Sequence, residues 1–97
     1  MQPKKAFIRW THPSNSERPL SAGIEYMPHI VLKDDPERRH WSIRFPITED
    51  NRCEEGFIEF TMLADNAEAL SYFRTLQSGA PILLLEGNTE VARGYMV

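Results

Sequence analysis

The 97-residue sequence predicts a mainly β domain, a small antiparallel barrel that is closed or nearly closed and carries one short helix. Three observations predict this fold. Short apolar segments alternate with polar connections rich in proline, the last two segments form a β-hairpin, and a single helical pattern precedes that hairpin. Closure is expected because it removes the exposed edges of a small sheet, and a β-sandwich is the alternative.

The hairpin at residues 81–97 is the segment on which the fold prediction chiefly depends. Its first arm is apolar on both faces from Ile82 to Leu85, which is typical of a central strand covered on both sides. Gly87 and Asn88 tolerate positive φ where the chain reverses. Gly94 in the second arm predicts either a β-bulge or a point where another backbone comes close.

Apolar residues that alternate with polar ones predict the other strands at residues 6–10, 24–32, 41–45 and 57–63. Pro28 cannot donate a hydrogen bond to a neighbouring strand, so its strand is expected to lie at an edge or to be bulged, as two short pieces. The residues predicted to share one apolar face are Ala6, Ile8 and Trp10 in the first strand, Trp41, Ile43 and Phe45 in the third, and Ile58, Phe60 and Met62 in the fourth.

The one helix is predicted near Asn66–Gln77. Asp65 and Glu68 have the spacing of a capping box, so Asp65 is expected to cap the first turn. Gly79 is expected to end the helix as a C-terminal cap, and Pro81 prevents its continuation. The apolar stripe that would pack on the sheet as a plug or lid comprises Leu70, Phe73 and Leu76.

Composition limits the classes of function. A chain of this length forms one domain, and its net charge of -3 argues against holding nucleic acid by bulk charge, although a local basic face stays open. Cys53 is the only cysteine, which excludes an intrachain disulfide and a multi-thiolate metal site. No signal-peptide core and no membrane-spanning run is found, so a cytoplasmic protein without membrane association is expected.

Catalytic and metal-binding patterns are not found in the sequence. The three histidines, His12, His29 and His40, lack the spacing that places two ligands on one element, so neither a metal nor a cofactor is expected. The acidic clusters lie in turns, where solvated carboxylates are the simplest interpretation. A small enzyme that uses carboxylates at the mouth of the barrel is kept as a third hypothesis.

The strongest candidate for a binding patch combines Arg38, Arg39 and Arg44 with Trp41. Cations beside an aromatic ring suit a phosphate backbone and an unstacked base. The neighbouring acidic residues can neutralise this cluster, which makes a salt-bridged loop the competing interpretation. These acidic neighbours are Asp34, Asp35 and Glu37.

Two segments resemble the carboxyl-terminal (third) β-barrel domain of elongation factor Tu and related translational GTPases. That domain has an early segment like Ser-Gly-Tyr-Arg-Pro-Gln-Phe and ends in a hairpin like Arg-Glu-Gly-Gly-Arg-Thr-Val-Gly-Ala-Gly-Val-Val. Here the corresponding segments are Pro19-Leu-Ser-Ala-Gly23 followed, after Ile24 and Glu25, by Tyr26-Met-Pro-His-Ile30, and then residues 85–97, in the same order. The resemblance implies a stand-alone, six-stranded, Greek-key-like closed barrel. It also implies that Tyr26 and Pro28 are structural and that the turn at Glu86 and Gly87 contacts a tRNA stem.

The sequence therefore supports hypotheses from different classes. The first is a non-enzymatic binding module that contacts another protein through an exposed face or through the Glu86-Gly87 turn. The alternative is RNA or tRNA binding through the Arg38–Arg44 face and the same turn. No phosphate-binding loop of the type that GTPases use is found, so GTP hydrolysis is not expected. Homodimerisation through a strand edge or the helix also stays open.

Overall fold

The computed structural model describes residues 2–11 and 22–97, which form a mainly β domain with one helix. Residues 12–21, and with them His12 and the start of the resembling segment, lie outside the described residues. Within the described part of the chain, no helix has the length and apolar character needed to cross a membrane. The elements are β1 (Lys4–Trp10), β2 (Glu25–Tyr26), β3 (His29–Leu32), β4 (His40–Pro46), β5 (Glu55–Met62), α1 (Ala67–Arg74), β6 (Pro81–Glu86) and β7 (Thr89–Met96).

The predicted closed antiparallel barrel is confirmed. Strands follow the order β4-β3-β6-β7-β1-β5, and pairing of β5 with β4 closes the sheet. Both β2 and β3 pair with β4, so they are two halves of one strand that is interrupted at Pro28, and the barrel has six strands. The strands β3, β4 and β5 are sequential neighbours, and β6 returns beside β3, which is the order of a Greek key.

The predicted inward faces form the core. Successive side chains of a strand point to opposite faces of the sheet. Residues that point into the barrel are therefore buried, and the residues between them lie on the outer surface of the barrel, its outer wall. Trp41 is the exception among the predicted inner residues, since it is half-buried at the edge of the core. The confirmed inner residues are Ala6, Ile8 and Trp10 of β1, Ile43 and Phe45 of β4, and Ile58, Phe60 and Met62 of β5.

The carboxyl-terminal hairpin has the predicted two-residue turn, with Gly87 at φ 60 and Glu86 paired with Thr89. Gly94 marks a close backbone approach, because a Cβ atom there would lie 1.8 Å from the Phe7 carbonyl oxygen. The β-bulge is at Val91 instead. Leu84 lies opposite Ala92 and Leu85 opposite Glu90, so Val91 between them has no partner residue in β6.

The helix is shorter than predicted, and both predicted caps are wrong. Asn66, in extended conformation, is the N-cap instead of Asp65, and its side chain accepts a hydrogen bond from the Ala69 amide at 2.8 Å. The C-cap is Thr75 instead of Gly79. Gly79 lies in the following turn at φ 87, where its amide donates to the Met96 carbonyl at 2.7 Å.

The packing stripe of α1 is also displaced from the prediction. Leu70 is only half-buried, whereas the predicted Phe73 and Leu76 are buried. Ala69 and Tyr72 complete the buried face. The buried positions 69, 72, 73 and 76 have the spacing of one helix face, which leaves Leu70 at its edge. In this packed position, the Tyr72 hydroxyl accepts from the Leu32 amide at 2.9 Å.

The helix seals one end of the barrel. The Lys4 ammonium, at the start of β1, donates to the carbonyl of Phe73 in the last turn of α1 at 2.6 Å and to that of Leu76, just after the helix, at 3.1 Å. A cation at this position also complements the negative end of the helix dipole. The Phe73 ring packs edge-on against Phe60, with ring centroids 6.1 Å apart. The predicted packing of the helix against the sheet is thus confirmed.

Asn51 holds the connection between β4 and β5 at the opposite end. Its backbone carbonyl accepts from the Trp10 indole at 2.6 Å, and its side-chain amide donates to the carbonyls of Pro46 at 3.3 Å and Phe57 at 3.0 Å. The side chain is almost fully buried, which the polar character of this loop did not indicate. The loop is therefore ordered by these hydrogen bonds together with the burial of Ile47 in the core.

Replacement of Gly94 by alanine tests the close approach of β7 to β1. We expect Gly94→Ala to lower the free energy of unfolding by at least about 3 kcal/mol, because the clash is with backbone that cannot rotate away. Urea denaturation measures the change. Gly87→Asn is the matched control, since its surroundings are open and asparagine tolerates positive φ, so we expect a change below about 1 kcal/mol. Equal losses in the two variants would contradict this description.

Candidate functional site

The structure separates the residues that the sequence placed in one site. Arg39 and Trp41 lie beside α1, at the sealed end of the barrel. Glu86 and Gly87 form the hairpin turn at the other end of β6, about 17 Å away along the strand. Arg44 lies on the outer wall of β4. A single ligand surface that includes all of them is not formed.

The basic residues among them are largely engaged with carboxylates. Arg39 Nε lies 3.1 Å from Asp35 and 3.6 Å from Glu37, and Arg44 Nε lies 3.2 Å from Glu25. The Arg38 side chain is exposed and has no ion pair with a described residue, and the Arg38 backbone has a positive φ of 53. The salt-bridged loop is thus what the structure shows for Arg39, and RNA binding by this cluster stays a prediction.

Asp35 organises the turn that carries Arg39. Its carboxylate accepts from the amides of Glu37 at 3.0 Å and Arg39 at 3.2 Å and from the Arg39 guanidinium. Burial raises the pKa of Asp35, but these hydrogen bonds outweigh the burial and hold its pKa below the usual value. The prediction of a solvated turn is wrong for Asp35, which is 8% exposed, whereas Asp34 and Glu37 are exposed.

An exposed aromatic row is the most distinctive feature of the outer wall. Phe7 pairs across strands with Phe57 on one side and Tyr95 on the other. Its ring centroid lies 5.1 Å from that of Phe57 and 5.7 Å from that of Tyr95. Phe57 is 46% and Tyr95 49% exposed, with Phe7 half-buried between them. We refer to these three residues as the aromatic face.

Charged side chains of both signs surround the aromatic face. Lys5 lies 5.3 Å from the centre of the Phe57 ring and is paired in register with Glu59. On the other side of the row, Arg9 forms a 2.7 Å ion pair with Glu55. Arg93, in register with Arg9, forms a 2.8 Å ion pair with Glu90. The cations are thus matched by carboxylates, and the rim has no excess of positive charge.

The sequence contained part of the signal for this face. Phe7 lies on the face of its strand opposite Ala6, Ile8 and Trp10, where a polar residue is expected. Alignment with Phe57 and Tyr95 depends on the register of three strands that are distant in the chain. The alternation of apolar and polar residues within one strand does not determine that register. The sequence therefore does not reveal that the three aromatic residues lie in one row.

Two histidines that are distant in the sequence are neighbours in space. His29 Nδ1 and His40 Nδ1 are 3.3 Å apart across β3 and β4, which is a hydrogen-bonding distance. No group of three or more histidine, cysteine or acidic residues that could hold a metal ion occurs among residues 2–11 and 22–97. Cys53 is a free, exposed thiol.

Comparisons with protein-family models, curated proteins and solved structures give no match for this chain. The resemblance to the third barrel domain of elongation factor Tu therefore stays a prediction from residues 19–30 and 85–97.

The Asp35 turn makes a pH-dependent contribution to stability. Because the native pKa is lowered, the native state binds a proton less readily than the unfolded state. The contribution is therefore present above the unfolded pKa of about 3.9 and is lost as the pH falls through the lower native value. We expect Asp35→Asn to lower the urea midpoint at pH 7 and the difference from wild type to narrow below about pH 4.

Asp34→Asn is the control for this titration, because Asp34 is exposed in the same turn. It should leave the urea midpoint close to that of wild type throughout the pH range. A difference between Asp35→Asn and wild type that stays constant from pH 7 to pH 2.5 would contradict the proposed linkage.

Proposed function

We propose that this domain is a non-enzymatic binding module that holds another protein against its aromatic face. The observation that carries the proposal is the exposed row of Phe57, Phe7 and Tyr95 within a rim of paired charges. Interfaces between proteins commonly have this arrangement, with aromatic residues and arginine at the centre and polar residues around them. The partner should present an apolar surface bordered by charges of both signs.

The charge of the rim favours a protein over a nucleic acid. Binding to phosphates requires cations whose counterions are released, and Arg9 and Arg93 are held in ion pairs with Glu55 and Glu90. The net charge of -3 adds a general repulsion toward a polyanion. The tRNA alternative instead depends on the Arg38–Arg44 face and the Glu86-Gly87 turn, and it is kept as the second hypothesis.

The topology favours contact through side chains. The strands β1 and β7 are each paired on both sides, whereas β5 pairs with β1 and, at Thr61 and Met62 only, with β4. At Phe57, the backbone amide donates to the Asp50 carboxylate and the carbonyl accepts from the Asn51 side chain. A partner therefore cannot extend the sheet at this face by adding a strand, because the backbone groups are already bonded. Phe57, Phe7 and Tyr95 must then provide most of the binding energy.

We further propose that the module is a barrel of the type found as the third domain of elongation factor Tu. The closed six-stranded barrel and the terminal hairpin with Gly87 at its turn support this relationship. The relationship concerns the fold, and the aromatic face carries the functional proposal independently of it.

A photo-crosslinking amino acid at position 57 tests the proposal in cells. We expect p-benzoylphenylalanine in place of Phe57 to capture a discrete protein, and the same group in place of Met27 to capture none. Met27 is the control because it is 58% exposed but lies away from the aromatic face, in the break between β2 and β3. The captured protein is then purified for titration calorimetry.

In that titration, we expect Phe57→Ser and Tyr95→Ser each to weaken binding at least tenfold, or about 1.4 kcal/mol, because the two rings lie at the centre of the interface. Met27→Ser should leave the affinity unchanged. Affinity that is insensitive to both aromatic changes would contradict the proposal. Salt-dependent binding of labelled tRNA that is lost in an Arg38→Ala/Arg39→Ala variant would favour the RNA alternative.

A further inference from the structure

Two histidine side chains meet on the outer wall where β3 pairs with β4, on strands that do not carry the aromatic face. Ile30, which follows His29 in β3, is buried in the core, so His29 points outward. In the register of these strands, His29 lies opposite Ser42 and His40 lies opposite Val31. The two histidines are therefore diagonal neighbours on one face, a separation that long side chains can span.

Both imidazole rings direct Nδ1 toward the space between them. The two Nδ1 atoms are 3.3 Å apart, whereas the ring centroids are 5.2 Å apart, with 57° between the ring planes. The rings therefore extend away from each other beyond the two nitrogens. Because His40 is exposed and His29 is half-buried, a solute can reach both Nδ1 atoms from the solvent.

The distance between the two nitrogens suits a metal ion that both of them hold. Zinc binds histidine nitrogen at about 2.0–2.1 Å and prefers tetrahedral coordination. An ion at that distance from two nitrogens 3.3 Å apart makes an N–Zn–N angle of about 105–110°, which is close to the tetrahedral angle. The two side chains therefore need little rearrangement to chelate the ion.

The donor atoms determine the class of metal. Imidazole nitrogen suits zinc, copper and nickel, whereas magnesium and calcium prefer oxygen ligands. Among residues 2–11 and 22–97, no further histidine, cysteine or acidic residue joins this pair to make a group of three that could hold a metal ion. The pair thus supplies two ligands, and the remaining coordination positions are open to water or to donor atoms of another molecule.

Metal binding changes where the hydrogen atoms of the two rings reside. Without a metal, one neutral ring donates from Nδ1 to Nδ1 of the other across the 3.3 Å gap. A bound ion requires that both Nδ1 atoms are unprotonated, so each ring must carry its hydrogen on Nε2. This change of tautomer distinguishes coordination through Nδ1 from coordination through Nε2.

We propose that His29 and His40 form a two-histidine site for a divalent transition-metal ion, with zinc as the ion whose geometry fits the pair. The ion links β3 to β4 on the outer wall and presents its open coordination positions to solvent. Because the unfolded chain does not hold the two rings together, the bound ion also stabilises the folded state. The site does not depend on the aromatic face, whose residues lie on β1, β5 and β7.

Titration calorimetry with zinc chloride tests the site in a Cys53→Ser background. Cys53 is a free, exposed thiol, and its removal excludes zinc binding by that sulfur atom. We expect saturable binding with a submillimolar dissociation constant, and no binding of magnesium chloride. In NMR spectra of the imidazole nitrogens, zinc should shift the Nδ1 signals of both His29 and His40 and leave the hydrogen of each ring on Nε2.

Variants in the same background separate a chelate from binding to single side chains. His29→Gln and His40→Gln should each weaken zinc binding at least tenfold, because one imidazole forms no chelate. Ser42→Ala is the matched control, since it changes the same face without removing an imidazole, and its affinity should be unchanged. Zinc should raise the urea midpoint of the parent protein and of Ser42→Ala but not that of either glutamine variant. The urea transitions without zinc show that each variant is folded.

Absence of saturable zinc binding, or unchanged zinc affinity in either glutamine variant, would overturn the proposal. Zinc shifts confined to the Nε2 signals would also overturn it. The stoichiometry identifies the source of the remaining ligands. One ion per chain would assign them to water, and one ion per two chains would assign them to the same pair in a second copy; either result supports a two-histidine site.

Discussion

The pairing of β4 with β5 is the interaction on which the rest of the structure depends, because it closes the sheet into a barrel. This pairing joins Ile43 with Met62 and Arg44 with Thr61, whereas β1 and β5 pair over six residues. The side chains of Ile43 and Met62 are buried beneath it. Closure therefore depends on packing of the inner residues as well as on backbone hydrogen bonds.

Closure determines where a ligand can bind. The interior is filled by the side chains of the core, α1 seals one end, and the Asn51 loop is held in place at the other. The outer wall and the flank of α1 are then the available surfaces. The outer wall bears a feature that folding alone does not require, namely an exposed row of aromatic rings.

The sequence predicted the elements whose signals are local. The alternation of Ile43 and Phe45 with polar residues identified their inward face, and Gly94 indicated a close backbone approach that the structure locates at Phe7. The helix start was misplaced by one residue because both Asp65 and Asn66 are suitable N-caps, and only the backbone conformation distinguishes them.

The candidate sites depend on tertiary structure, and the sequence therefore revealed them incompletely. The sequence grouped Arg39 and Trp41 with Arg38 and Arg44, and Tyr72 lies beside the first two because α1 docks beside β4. Burial of Asp35 depends on the turn that its own carboxylate organises. Alignment of Phe7 with Tyr95 requires the register of β1 with β7, which no local pattern specifies.

Urea denaturation of a Phe57→Ser/Tyr95→Ser double variant distinguishes an aromatic face that serves binding from one that serves folding. Both rings are about half exposed, with each contacting Phe7. We expect the free energy of unfolding to fall by less than about 2 kcal/mol, with an unchanged denaturant dependence. A loss above about 4 kcal/mol, as for truncation of large core residues, would contradict this expectation and identify the row as part of the folding core.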